Sequence, residues 1–158
     1  MKQHDYTVDL HWRTDRRGIL SSPDILATAS NVGYIEVATP PQFPKGIDGL
    51  WSPEHLFTAA VNSCFMTTFL SIAENSQLKF QSFFCASTGR LEQMDGKFIM
   101  TCIQLDPLLV IYDESDREKA LRVLNKSEAA CLIANSIKSK VEMHPVIEVA
   151  FINSISPG

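Results

Sequence analysis

Four cysteines, Cys64, Cys85, Cys102 and Cys131, are the residues of this sequence best suited to chemistry. None stands in a Cys-x-x-Cys pair, and His4, His11, His55 and His144 share no ligand spacing with them or with one another. That spacing gives no ground for a metal site. There is no Gly-x-Gly-x-x-Gly, no P-loop and no Gly-x-Ser-x-Gly, so nucleotide binding and serine hydrolysis have no support. Thiol chemistry is left. The reactive species is the thiolate, and an unperturbed cysteine ionises only near ~8.5, so a working thiol needs help from its surroundings. Nothing near Cys85 or Cys102 in sequence offers it, and both read as small core side chains. Cys64 and Cys131 fall at apolar helical positions, where packing is an equally good explanation. Glu54 is explained by the helix dipole alone.

The elements that must carry these residues can be outlined. Tyr6, Val8, Leu10 and Trp12 alternate with Thr7, Asp9, His11 and Arg13, the period of a half-buried strand. Arg16-Arg17-Gly18 reads as a turn. Ile19 to Ser21, Asp24 to Ser30 and Tyr34 to Ala38 read as short strands of an antiparallel meander. Thr39 to Trp51, with three prolines and two glycines, reads as a loop. Ser52-Pro53-Glu54 is a helix start, and the helix should run from Pro53 to about Glu74. Its apolar residues cover more than one stripe, so it should be central and buried on most sides. Strand signals return from Lys79 to Tyr112. Met94-Asp95-Gly96-Lys97 should be a hairpin turn, and Pro107 should interrupt or end the returning strand. Ser115 to Glu118 reads as a capping box opening a second helix with Cys131 in its middle and Lys138 and Lys140 at its end. Val146 to Ile152 reads as a last strand and Asn153 to Gly158 as a tail. The order is α+β.

The chain has 158 residues, 45% apolar and 20% charged, with 14 Lys and Arg against 18 Asp and Glu. One globular domain over 1–158 is expected, with a β meander and loop over 1–51 and helix, hairpin, helix and strand over 52–158. A net charge of −4 argues against nucleic acid as a partner. The uncharged run Leu56 to Ala73 contains six polar side chains, so a core helix is expected rather than a membrane span. Met1 to Tyr6 carries no export signature, so a cytoplasmic location with reduced cysteines is expected.

The segment Ser52-Pro53-Glu54-His55-Leu56-Phe57-Thr58-Ala59-Ala60-Val61-Asn62-Ser63-Cys64-Phe65 resembles the central helix of the OsmC-like superfamily of osmotically induced and organic hydroperoxide resistance proteins. There the helix opens with Asn-Pro-Glu and reaches Cys-Phe ten residues after the Glu. Ala130-Cys131 and Asn135-Ser136 resemble the segment with the family's second cysteine. The likeness covers nearly the whole chain. It departs from the better-known branches in three places: Trp51-Ser52 precedes Pro53, Leu132 stands where a proline follows the second cysteine, and no arginine occurs between Asn31 and Leu50. The chain resembles a third branch.

The resemblance implies antiparallel sheets around two long central helices in an intertwined homodimer. It implies reduction of organic hydroperoxides or hydrogen peroxide, with Cys64 as peroxidatic thiolate and Cys131 as resolving thiol. It further implies Glu54 as the acid orienting an arginine, with Arg16 of Arg16-Arg17-Gly18 matching the family's Arg-x-Gly turn and Arg17 as fallback. A lipoyl protein or small thiol would be the reductant, and no cofactor is implied. Ten helical residues rise about 15 Å, so Glu54 and Cys64 on one straight helix cannot both closely touch one guanidinium head. Either the helix breaks or two chains contribute. The alternative reading is a catalytically weak dimer of the same fold that binds a hydrophobic small molecule between its long helices. A thioesterase of a similar helix-and-sheet fold has less support, because no acid or His stands in a catalytic spacing.

Overall fold

A computed structural model describes residues 2–151 of the chain. The chain falls into two compact units divided between Leu56 and Phe57.

The N-terminal unit holds a three-stranded antiparallel sheet of β1 (Asp9–Thr14), β2 (Arg17–Ser21) and β3 (Tyr34–Ala38), in that order. The β1–β2 turn is Asp15-Arg16, with Asp15 at φ 45°, so Arg17 and Gly18 belong to β2 rather than to the turn. β3 has the expected bounds. The strand expected at Asp24–Ser30 is absent; an isolated bridge joins Thr28 to Asn31 instead. Its polar residues bond locally: the Ser22 hydroxyl accepts from the Asp24 amide, and the Thr28 and Ser30 hydroxyls pair.

Helix α1 (Pro53–Asn75) runs unbroken, which removes the broken-helix option. Its start is a reciprocal cap. The Ser52 hydroxyl accepts from the His55 amide at 3.2 Å, and His55 Nδ1 accepts from the Ser52 amide at 3.2 Å. Its end is a Schellman-type stop, with Gln77 at φ 52° and the Leu78 amide donating to the Ala73 carbonyl.

The C-terminal unit pairs α1 with a sheet of four strands. β4 (Phe80–Met94) and β5 (Lys97–Ile111) form a long hairpin. Asp95 and Gly96 both take positive φ at its turn, as the Asp-Gly pair predicts. β6 (Lys140–Met143) and β7 (Val146–Val149) both lie parallel to β5, on different stretches of it. Pro107 therefore does not end β5. It is fully buried where the β6 pairing has stopped at Leu105 and the β7 pairing has not begun at Leu108, so the missing N–H interrupts neither ladder.

Helix α2 (Arg117–Ala130) is shorter than the sequence pattern suggests. Its first turn is preceded by a 3-10 turn whose cap is Asp113, not Ser115. Cys131 terminates it rather than lying mid-helix, and Lys140 belongs to β6. Ile152 of the expected last strand and the expected tail at 153–158 lie outside the described residues.

The core of this unit joins Val61, Phe65, Phe69 and Ala73 of α1 with Ile103, Leu105, Leu109 and Ile111 of β5 and Ala120, Val123 and Leu124 of α2. Phe69 stacks on Phe83 at 4.5 Å between centroids. Contrary to expectation, α1 is buried along one stripe only. Ala60, Ser63, Met66 and Leu70 remain exposed, because one sheet covers one helix face.

Candidate functional site

Cys64 lies two turns into the part of α1 that belongs to the C-terminal unit. Two side chains and one glycine fix this stretch. The Asn62 amide donates to the Cys85 carbonyl and the Ser87 hydroxyl, both at 2.9 Å, and so ties α1 to β4. The Thr67 hydroxyl donates to the Cys64 carbonyl at 3.0 Å. Gly89 lets the strand come close: a Cβ there would stand 2.1 Å from Thr58 Oγ1.

Cys131 reaches the same place from the end of α2. At φ −62° and ψ 113° it turns the chain out of the helix. The following residues form a tight turn. The Asn135 side chain donates to the Ala129 carbonyl at 3.0 Å, its amide donates to the Cys131 carbonyl at 3.0 Å, and the Ser136 hydroxyl donates to the Leu132 carbonyl at 2.8 Å. These donors satisfy carbonyls that a helix end leaves open.

The two thiols are neighbours close enough for each to affect the other's ionisation. Cys131 is almost fully buried, and its Sγ lies 3.9 Å from the Val61 carbonyl, which accepts from it. Burial works against ionisation of both, and the outcomes differ. At Cys64 burial is the largest single influence. It is outweighed by the Ile133 amide, the Cys131 thiol, the Thr68 hydroxyl and the Leu132 amide, which together hold the thiol below its ordinary range. At Cys131 burial and the neighbouring Cys64 sulfur with its charge prevail over the Ala134 and Ile133 amides, so its thiol is held above that range. The pair thus favours one anion, on Cys64, with the proton kept on Cys131, whose thiol donates to the Val61 carbonyl.

Cys85 is different. Burial pushes its thiol up to about 11, against the one Asp106 amide that would lower it. Cys102 sits in β5 between Arg90 of β4 and Lys140 of β6. Neither approaches the pair as a third partner in the described hydrogen bonds.

Arg16 and Glu54 belong to the N-terminal unit. Arg16 is exposed in the β1–β2 turn, its carbonyl accepting from the Thr39 amide at 3.3 Å. Arg17 opens β2 opposite Ala38. Glu54 is half-buried in the first turn of α1. The same unit contains a cavity of about 370 Å³ lined mainly by Val8, Leu20, Ile25, Tyr34, Ile35 and Leu56. Among the described residues, no group of three His, Cys, Asp or Glu is placed to hold a metal ion.

The amides of Leu132, Ile133 and Ala134 were not foreseen from the sequence. Main-chain donors carry no residue signature; the hint was Asn135-Ser136, two side chains that readily bond nearby backbone.

Comparison with known proteins agrees with this architecture. Residues 46–145 match the family model described as OsmC-like protein. The uncharacterized protein YmaD of Bacillus subtilis is 24% identical over 151 residues, covering 90% of this chain and 93% of that protein. Among solved structures, an OsmC-like protein from Vibrio cholerae superposes with a TM-score of 0.78 at 21% identity, covering 91% of this chain and all of that one. An organic hydroperoxide resistance protein from Elizabethkingia anophelis gives 0.69 at 19% identity, covering 94% and 100%.

Proposed function

The chain belongs to the OsmC-like protein family, and from that membership and its paired thiols we propose that it is a thiol-dependent peroxidase of organic hydroperoxides or hydrogen peroxide. One observation carries the reading: two cysteines remote in sequence are brought together, with Cys131 Sγ on the Val61 carbonyl one turn before Cys64, and their surroundings favour an anion on Cys64 and a proton on Cys131.

The chemistry follows from that arrangement. The Cys64 thiolate attacks the terminal oxygen of the peroxide. An S–O bond forms as the O–O bond breaks, and the alcohol or water leaves with a proton. Cys64 is then a sulfenic acid and the peroxide has been reduced by two electrons. The Cys131 sulfur attacks it, water departs, and a Cys64–Cys131 disulfide remains. An external dithiol, a lipoyl protein or a small thiol, reduces that bond and is oxidised in turn. In this reading Arg16, oriented by Glu54, brings positive charge to the reacting peroxide. A second copy of the chain completes the site. Exposed Tyr6, Val8, Leu10 and Trp12 in the N-terminal unit and Met66 and Leu70 on α1 support such an assembly, since so much bare apolar surface marks an interface.

The test is consumption of cumene hydroperoxide with dithiothreitol or a dihydrolipoyl donor. Wild type should turn over and Cys64→Ser should not; equal turnover by the two would sink the assignment. The cavity beside β2 and β3 favours a second reading, a dimer that binds a hydrophobic molecule and turns over poorly. Saturable binding of an aliphatic probe by a wild type without peroxide turnover would select it.

A further inference from the structure

We propose that the cavity framed by β2, β3, Leu56 and residues 22–33 binds an uncharged single-chain molecule with one hydrogen-bond acceptor, and that Asn31 donates to that acceptor. The proposal deepens the second reading above by giving the molecule's class. It rests on that reading only in taking the cavity as a binding site, and it needs neither Cys64 nor Cys131.

The cavity is built by a loop that folds on itself. Residues 22–33 leave β2 at Ser21 and return as β3 at Tyr34. The Ser22 carbonyl accepts from the Ile25 amide at 3.2 Å, and Thr28 and Asn31 exchange main-chain bonds of 2.7 and 3.3 Å. Gly33 turns the chain at φ 77°, and its amide donates to Asn31 Oδ1 at 2.9 Å. The Asp24 carboxylate accepts from the Thr7 amide at 3.0 Å, which ties the segment before β1 to the loop. A loop anchored in this way on a sheet is a common place for a binding wall.

Val8, Leu20, Ile25, Tyr34, Ile35 and Leu56 make the walls mainly apolar. Ile25, Tyr34 and Ile35 remain 52%, 51% and 42% exposed, so an occupant would take apolar surface out of water. A volume of about 370 Å³ lies in the range of small-molecule sites. At roughly 30 Å³ for each water-sized group, that is room for about a dozen non-hydrogen atoms. Asn31 also lines the cavity. Its Oδ1 is held by the Gly33 amide, so its side-chain nitrogen is left as a donor. Among the described residues, no acidic or basic side chain lines the cavity. An ionised head would lose water there without a counter-charge. Asp24, next to Ile25, adds negative charge to the same loop. The walls therefore select an acceptor without charge, such as an alcohol, ketone, ester or hydroperoxide. No residue of β1 lines the cavity, so it is not an extension of that strand's bare apolar face.

The test is a titration of the full chain with carbon-13 in its isoleucine methyls, read by NMR. At neutral pH, 1-octanol should move the Ile25 and Ile35 signals saturably and leave those of Ile103 and Ile111 in place. Octanoate, of equal chain length, should bind more weakly by about tenfold or more. Asn31→Asp keeps an oxygen for the Gly33 amide and removes the donor, so it should weaken 1-octanol by about three- to tenfold. Toluene, which lacks such an acceptor, should bind this variant and wild type alike. Ile25→Trp should fill the cavity and abolish binding of both probes. Octanoate binding as tight as 1-octanol would overturn the proposal, as would an Asn31→Asp variant that weakens toluene equally or leaves 1-octanol unchanged. Absence of saturation, with sedimentation altered by Ile25→Trp, would overturn it by making a second copy the occupant. Peroxide turnover in the same samples separates the two levels. Octanol binding beside turnover retires the second reading and keeps the ligand class; tight octanoate binding without turnover does the reverse.

Discussion

At the scale of single residues, Cys64, Cys85 and Cys131 lie in one unit, each with burial working against its ionisation, yet they end in different states because of the groups that surround them. Cys64 meets two amides, a hydroxyl and a thiol; Cys131 meets two amides and a neighbouring negative charge; Cys85 meets one amide and the Asp106 carboxylate. Cys85 yields a pH prediction with a definite sign. Its folded-state ionisation lies at about 11, above the ordinary range of a free thiol, so the neutral form is the one the fold stabilises. That contribution is complete below about pH 9 and is lost as pH rises through 11. Wild type should therefore lose more stability than Cys85→Ala between pH 8.5 and pH 10.5, measured by urea midpoints. Parallel losses in the two proteins would contradict it.

At the scale of elements, the close approach of α1 and β4 has a single weak point for substitution. Gly89→Ala would bring a Cβ to 2.1 Å from Thr58 Oγ1 and 2.7 Å from Met100 Cε. Overpacking of this kind costs about 1–3 kcal/mol. Thr58→Ala in the same chain should recover part of that loss, and thermal melts of the two singles and the double would show it as non-additivity. Additive effects would place the strain elsewhere. The elements also differ in how far they could be read in advance. α1 and the β4–β5 turn were legible because Ser52-Pro53-Glu54 and Asp95-Gly96 act locally. The passage of β5 through Pro107 was not, since it depends on where β6 and β7 divide the strand between them. Nor was β6: Lys138 and Lys140 suit a helix end equally well, and what ends α2 is the turn at Cys131 held by Asn135. For the thiols, spacing left Cys64 and Cys131 as plausible core residues. Family resemblance singled them out, and the main-chain donors around them became visible only in the fold.

At the scale of the whole molecule, the N-terminal sheet is the feature that asks for a partner. All six residues of β1 are exposed, the apolar Leu10 and Trp12 among them. A strand with a bare apolar face of this kind gains stability when something packs on that face. A homodimer burying more than ~2,000 Å² is the expected solution state. Sedimentation at micromolar concentration should give twice the chain mass, and a monomer would refute it. The contact between Cys64 and Cys131 has a different large-scale consequence, which is topological. A bond there would close residues 64 to 131 into a covalent ring that contains the second half of α1, the whole β4–β5 hairpin and all of α2. A ring of that length narrows the unfolded ensemble by roughly 4 kcal/mol. Oxidised protein should then melt on the order of ten degrees above reduced protein, an increment absent from Cys131→Ser. The melting temperature would become a record of the last oxidant the protein met, erased when a dithiol reopens the ring.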